Sequence, residues 1–230
     1  MPYILLGEPA CKKYADILVK YGYMPVPLLP DNRLNKIVNT HADTLIFTDG
    51  KIRVANREYI KNLPNEVAAY FTPTDNSPYG EYPTDTAFNA LTIGNRIFCR
   101  TQSISPDILN YAEKSGYIIV SVKQGYARCS TLTLSSAAVT ADLGIGTTIA
   151  AQGINVFIIG SGHITLEGCK YGFIGGASFV DERKKTVYFF GDISAHPDGG
   201  EITGFIKNQG YYVISFPGEL TDFGGAIILE

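Results

Sequence analysis

The sequence has no tryptophan, only three histidines and four cysteines among 230 residues, and no surplus of positive charge. Lys and Arg number 19 against 22 Asp and Glu, a formal charge of -3. A nucleic-acid partner calls for a basic excess or stripe that neutralises phosphates, so the balance argues against that class. At 45% hydrophobic and 18% charged residues, the chain is not a disordered one. Cys11, Cys99, Cys129 and Cys169 include no Cys-x-x-Cys pair, and none stands at zinc-ligand spacing from His41, His163 or His196. No metal and no other cofactor is therefore expected, and reduced thiols in the cytoplasm are the default reading. The apolar run near the N-terminus, residues 3–6, lacks a basic lead and is too short for a signal peptide. The longest stretch without charge, residues 143–166, holds five glycines with Gln152 and Asn155. It reads as containing one buried strand, residues 154–159, and not as a membrane span.

What is plentiful is glycine and proline, 24 and 12. A breaker at about every sixth residue makes for short elements and many turns. The length suits a single domain over residues 1–230, large enough to bury its own core.

One phrase recurs along the chain: a short helix, a glycine, then an apolar or aromatic strand. It reads Lys20-Tyr21-Gly22-Tyr23, Lys114-Ser115-Gly116-Tyr117, Ala151-Gln152-Gly153-Ile154 and Asn208-Gln209-Gly210-Tyr211. A fifth copy has Asn65 in place of the glycine. Glycine or asparagine there is a helix C-cap that takes positive φ and turns the chain back as a strand. Ser105-Pro106-Asp107, and less strongly Glu8-Pro9, mark helix starts. After each joint strand come a polar loop, a strand, a tight turn and another strand. Asp49-Gly50 and Gly94-Asn95 are the clearest turns. The last unit breaks off after residues 223–229 and is completed by residues 3–6 and the helix that follows. The expected fold is α+β, an α/β propeller of five pseudo-symmetric ββαβ units closed into a ring by the two chain ends.

In such a ring the five polar loops meet around one axial channel. They carry His41 and Asp43, Asp85, Arg128 and Cys129, Glu167 and Cys169, and Glu219 and Asp222. A thiol, an imidazole and several carboxylates suit nucleophilic attack on a cationic carbon. Each residue also has an ordinary reading: Cys129 as a small core hydrophobe, His41 as a strand cap, Asp43 and Asp85 as Asx-turns. Cys11 and Cys99 read as core, and His196 in Ala195-His196-Pro197-Asp198 as a surface turn.

The order of these segments resembles the guanidino-group modifying enzymes, the pentein superfamily of arginine deiminases, dimethylarginine hydrolases and amidinotransferases. His41-Ala42-Asp43 is similar to their His-x-Asp signature. The run from Asn89 through Gly116-Tyr117-Ile118-Ile119-Val120 to Ala127-Arg128-Cys129-Ser130 is similar to the family's closing segment, here followed by two further units, so the match is circularly shifted. The resemblance implies Cys129 as nucleophile, His41 as acid/base and Asp43 as its partner on the substrate. It also implies Asp222, Glu167, Asp85, Asn89 and Arg128 as substrate-binding residues. The implied function is hydrolysis of, or amidine transfer from, a small cationic guanidino or amidine compound through a covalent cysteine adduct, without nucleic acid or membrane. The alternative is a non-catalytic pentein that binds or interacts only.

Overall fold

A computed structural model describes residues 1–229. Five three-stranded sheets repeat one arrangement: a first strand antiparallel to a middle strand, which runs parallel to a third across a helical connection. Unit one is built from β1 (Tyr3–Gly7), α1 (Glu8–Lys20) and β2 (Met24–Leu28). The second comprises β3 (Ile46–Thr48), β4 (Arg53–Asn56) and β5 (Thr72–Thr74). Unit three has β6 (Leu91–Ile93), β7 (Arg96–Cys99), a helix over Pro106–Lys114 and β8 (Ile118–Ser121). In unit four, β9 (Thr131–Thr133) and β10 (Ala137–Thr140) lead through a helix over Leu143–Ala151 to β11 (Asn155–Ile158). Unit five has β12 (Ser178–Asp181), β13 (Thr186–Phe189), a helix over Gly199–Asn208 and β14 (Tyr212–Ser215). The last strand, β15 (Ala226–Leu229), pairs antiparallel with β1, Tyr3 opposite Leu229, and supplies the missing first strand of unit one. The ring closes through both chain ends.

Three short strands alone are marginal, so the stability lies between sheets. Five buried clusters each join one pair of consecutive units. Alternate residues of a strand serve opposite neighbours, because side chains on a strand alternate faces. Ile4 and Leu6 of β1 pack with Phe179, Tyr188 and Phe190 of unit five, whereas Leu5 packs with Ile46 and Ala55 of unit two. Phe98 of β7 faces Ala138 of unit four, and its neighbours Ile97 and Cys99 face Phe47 and Val54 of unit two. Val187 and Phe189 of β13 turn to Leu132 and Val139. With both faces covered, the middle strands β10 and β13 are buried at every position and are mostly apolar, with Thr140 and Thr186 at their ends. Each large apolar side chain removed from water there contributes about 1.5–3 kcal/mol.

Four of the joint glycines take positive φ, Gly22 at 85°, Gly116 at 75°, Gly153 at 74° and Gly210 at 84°. The Asn65 copy is corrected. Asn65 opens a one-turn helix, Asn65–Ala68, entered from Pro64, and the chain reaches β5 through Ala69–Phe71 without a positive-φ residue. Ser105 caps its helix, its Oγ accepting from the Asp107 amide at 3.3 Å with Pro106 in the first turn. At the first helix the N-cap is instead Gly7, and Glu8 lies inside the helix. The strand expected at residues 154–159 forms over 155–158, but it is half exposed, with Ile158 at 40%. It is the outermost strand of its unit, as are β8 and β14, which share its pattern. Among the described residues no helix is long and apolar enough to cross a membrane.

Candidate active site

The five loops that lead from a third strand to the next first strand, residues 29–45, 75–90, 122–130, 159–177 and 216–225, meet at one end of the axis. There they enclose a cavity of about 410 Å³ lined by His41, Glu81, Asp85, Cys129, Cys169 and Asp222, with Tyr82, Tyr126, Tyr171 and Phe173 as its aromatic wall.

Cys129 is buried and is held by Asn89 from the neighbouring unit. The Asn89 amide Nδ2 reaches the sulfur at 3.0 Å and donates to the Asp43 carbonyl at 3.0 Å. Its Oδ1 accepts the backbone N–H groups of Arg128, at 2.8 Å, and Cys129, at 3.3 Å. One side chain thereby fixes sulfur, backbone and the Asp43 loop together. The Asp43 carboxylate lies beside the thiol, close enough for its charge to act on it. Burial first, then the charges of Asp43 and Asp222, push the Cys129 thiol well above its ordinary value.

Residues 42–45 form a helical turn, Ala42–Leu45, before β3. Its entry is set by the Thr44 and Leu45 amides donating to the His41 carbonyl, and by the Asp43 amide donating to Gly224 O at 3.1 Å. The turn buries Asp43 with no hydrogen-bond partner for Oδ2. Burial drives its carboxyl up to about 6, opposed by His41 and reinforced by Asp222. Asp222 is itself buried and likewise raised, against the pull of His41. Its Oδ2 accepts the Phe173 amide at 2.8 Å, its Oδ1 accepts the Gly224 amide at 2.9 Å, and His41 Nδ1 stands 4.0 Å from that Oδ1. Gly224, at φ 75°, lies so close to His41 that a Cβ would run into the imidazole, and a Cβ on Gly176 would run into the Asp222 carboxylate. Glycine at both is what lets the pair come together.

The remaining expected residues fall in two groups. Asp85 lines the cavity, buried, with Tyr126 donating its hydroxyl to Oδ2, and burial raises its carboxyl. Arg128 does not line it. Its side chain turns to a second cavity of about 440 Å³ at the other end of the axis, where Nη1 donates to the Ile46 carbonyl at 3.2 Å. Asp43 likewise lines that second cavity and not the first, and the charges of Arg128 and His41 both act on it. Glu167 is exposed and lines neither cavity, because Gly168, at φ 81°, turns the chain so that Cys169 lines the first cavity instead. His196 is not a surface turn. It is 2% exposed, its Nδ1 accepting the Asp198 amide at the start of the Gly199–Asn208 helix and its ring 5.6 Å from that of His163. Among the described residues no cluster of His, Cys, Asp or Glu is arranged to hold a metal ion.

The aromatic wall was not anticipated from the sequence. Its rings form a chain, Tyr82 to Tyr126 at 5.6 Å, Tyr126 to Phe173 at 6.4 Å and Phe173 to Tyr171 at 6.4 Å. The available signal was aromatic residues placed in glycine-containing loops, Gly125-Tyr126 and Tyr171-Gly172-Phe173, where no strand needs them.

Residues 6–227 match the model of a family described as a family of unknown function (DUF6873). No curated protein matches the sequence significantly. Solved structures do match in fold. A dimethylarginine dimethylaminohydrolase in adduct with 4-chloro-2-hydroxymethylpyridine superposes with a TM-score of 0.57 at 11% identity, over 99% of both chains. A variant dimethylarginine dimethylaminohydrolase in adduct with S-methyl-L-thiocitrulline gives 0.58 at 12% identity, also over 99% of both. SxtG, an amidinotransferase from Microseira wollei in the saxitoxin biosynthetic pathway, gives 0.55 at 12% identity over 97% of this chain and 80% of its own. The five-unit ring is the pentein fold.

Proposed function

Since the chain belongs to a family of unknown function (DUF6873) and has the pentein fold, we propose that it hydrolyses, or transfers the amidine group of, a small cationic guanidino or amidine compound through Cys129. The observation that carries this reading is the convergence of Cys129, His41 and Asp222 on one cavity, with Asp43 against the thiol. Two buried carboxylates beside a thiol hold it protonated at rest, and a ligand bearing positive charge offsets them. The same cation presents an electrophilic carbon to the sulfur.

In this reading the Cys129 thiol passes its proton to the Asp43 carboxylate beside it, and the sulfur bonds to the amidinium carbon. His41, held against Asp222, protonates the departing amine as the C–N bond breaks. It then takes a proton from the water or second amine that displaces the sulfur, and the released thiolate recovers its proton from Asp43. Structural relatives named as a dimethylarginine dimethylaminohydrolase and an amidinotransferase support both versions of the second step. The roles follow the circularly shifted order, in which Cys129 occupies the third loop and His41 the first. A ring of five like units superposes on itself after turning by one unit, so the roles rest on the residues in the loops and not on the fold match.

The test is alkylation by a matched pair of reagents, 2-chloroacetamidinium and neutral 2-chloroacetamide, followed by peptide mass spectrometry. Cys129 is labelled far faster by the cation than by the neutral reagent. Cys169, exposed, and Cys11, half-buried, show no such preference, and buried Cys99 reacts with neither. A Cys129 inert to the cation, or equal labelling of all four thiols, overturns the reading in favour of a non-catalytic pentein.

A further inference from the structure

The cavity of Cys129 has charge of only one sign on its wall. Its described lining includes Glu81, Asp85 and Asp222 beside His41, and no lysine or arginine. The nearest basic side chains are engaged elsewhere or lie outside it. Arg33 is held by Asp31, at 2.9 Å through Nε and 2.5 Å through Nη2, and by the Asn56 Oδ1 at 2.8 Å. Arg100 lies over the Tyr82 ring at 5.8 Å without lining the cavity. Lys36 and Lys170 neighbour lining residues in the chain but are exposed and line nothing there. The rest of the wall is Asn35, whose Oδ1 accepts the Ile37 amide at 3.0 Å, the thiol of Cys169, and the apolar or aromatic side chains of Ile37, Val38 and Leu166 with the four linked rings.

A guanidino amino acid carries a carboxylate at the end opposite its reacting carbon. With the guanidinium at Cys129, that carboxylate falls among Glu81, Asp85 and the aromatic faces, with no cation to receive it. Like-charge apposition and an unpaired carboxylate both count against binding. A guanidinium or amidinium on an uncharged aliphatic or aryl body meets neither obstacle. Its charge sits in the field of the acids and against π faces, and its body packs on Phe173 and Tyr171.

We infer that this cavity selects guanidino or amidine compounds that lack a carboxylate and carry an apolar body. The inference rests on the reading of the cavity as a guanidino site, and it names the class of substrate that such a site admits.

The experiment is calorimetric titration of the Cys129→Ser chain, which binds without turnover, with n-butylguanidinium, phenylguanidinium, L-arginine and 4-guanidinobutanoate. Protection of wild-type Cys129 against 2-chloroacetamidinium serves as a second readout on the unaltered protein. The two carboxylate-free cations bind about tenfold or more tightly than the two carboxylate-bearing ones. Tyr171→Ala weakens n-butylguanidinium about threefold to tenfold. Glu81→Lys at the exposed rim narrows the gap by strengthening 4-guanidinobutanoate. If L-arginine or 4-guanidinobutanoate binds as tightly as n-butylguanidinium, the selectivity is wrong while the guanidino site stands. If no guanidinium compound binds or protects, the proposed function itself fails, and the inference with it.

Discussion

Two thiols line the same cavity, and their surroundings differ. Cys129 is buried, gripped by Asn89 at 3.0 Å and within reach of the charges of two carboxylates, Asp43 and Asp222. Cys169 is exposed on the 159–177 loop, where the neighbouring Glu167 points to solvent. The loops occupy corresponding places in consecutive units. What separates them is how many other units hold each one. The Cys129 segment is tied by Asn89 from the second loop, by Asp43 from the first and by the Gly176 amide, which donates to the Cys129 carbonyl at 3.0 Å. Cys169 has a local turn, its amide donating to Leu166 O at 3.0 Å. Sharing a cavity wall is therefore not sufficient for a chemical role; a nucleophile also needs an environment that sets its proton and its direction.

Removing each thiol in turn gives the sharpest contrast. Cys129→Ala lowers turnover of a guanidino substrate by about a thousandfold or more, whereas Cys169→Ala stays within about twofold. Equal losses would place the two thiols in one role and erase the distinction. His41→Gln comes next, with a fall of about 10²–10⁴ in kcat and a changed pH profile, since proton transfer is the part it loses. Asn89→Ala releases the Cys129 segment and leaves the Arg128 and Cys129 amides unpaired. It costs about 1–3 kcal/mol in a urea titration and more than about tenfold in activity.

Asp43→Asn tests the electrostatic half of the contrast. Its carboxyl rises from 3.8 to about 6 on folding, so the folded state binds the proton more tightly than the unfolded one. The charged form is the costly one. Asp43's contribution to wild-type stability therefore rises as pH falls from about 7 towards 4, and Asp43→Asn removes that part of the dependence. At 1.36 kcal/mol per unit the variant is about 3 kcal/mol more stable at neutral pH, with the difference shrinking near pH 4. Thermal melts across that range check it, and a variant less stable than wild type at neutral pH refutes it. The smallest effect lies far from either thiol. Gly116→Ala, at φ 75° with open space around the Cβ position, costs about 1 kcal/mol through backbone strain alone, and Gly116→Asn costs less.

That last position also shows why the architecture could be read from the chain. Gly22, Gly116, Gly153 and Gly210 stand where a helix must reverse into a strand, a local requirement of backbone geometry that leaves its mark in the residue type. Asn65 misled because Pro64 starts a helical turn there, and the joint is made by ordinary residues four to six positions later. In the site, His41, Cys129, Asp85 and Asp222 were legible as polar residues in equivalent loops. Glu167 was grouped with them by the same logic and lies in solvent. Loop equivalence predicts which end of the ring a residue occupies, not which way its side chain turns.

By itself, then, the sequence determined the repeat, its closure through the chain ends and the polar character of the loops, because propensity, glycine joints and apolar runs act over a few neighbouring residues. The tertiary structure alone decided that adjacent residues Arg128 and Cys129 face opposite ends of the axis and that His41 meets Asp222. It also decided that no lysine or arginine lines the cavity beside the four rings. Those outcomes depend on Asn89, Gly176 and Gly224, which come from other units and are brought to the site only when the ring closes. A hydrogen bond across 40 residues, such as Asn89 to Cys129, leaves no periodicity in the chain that makes it.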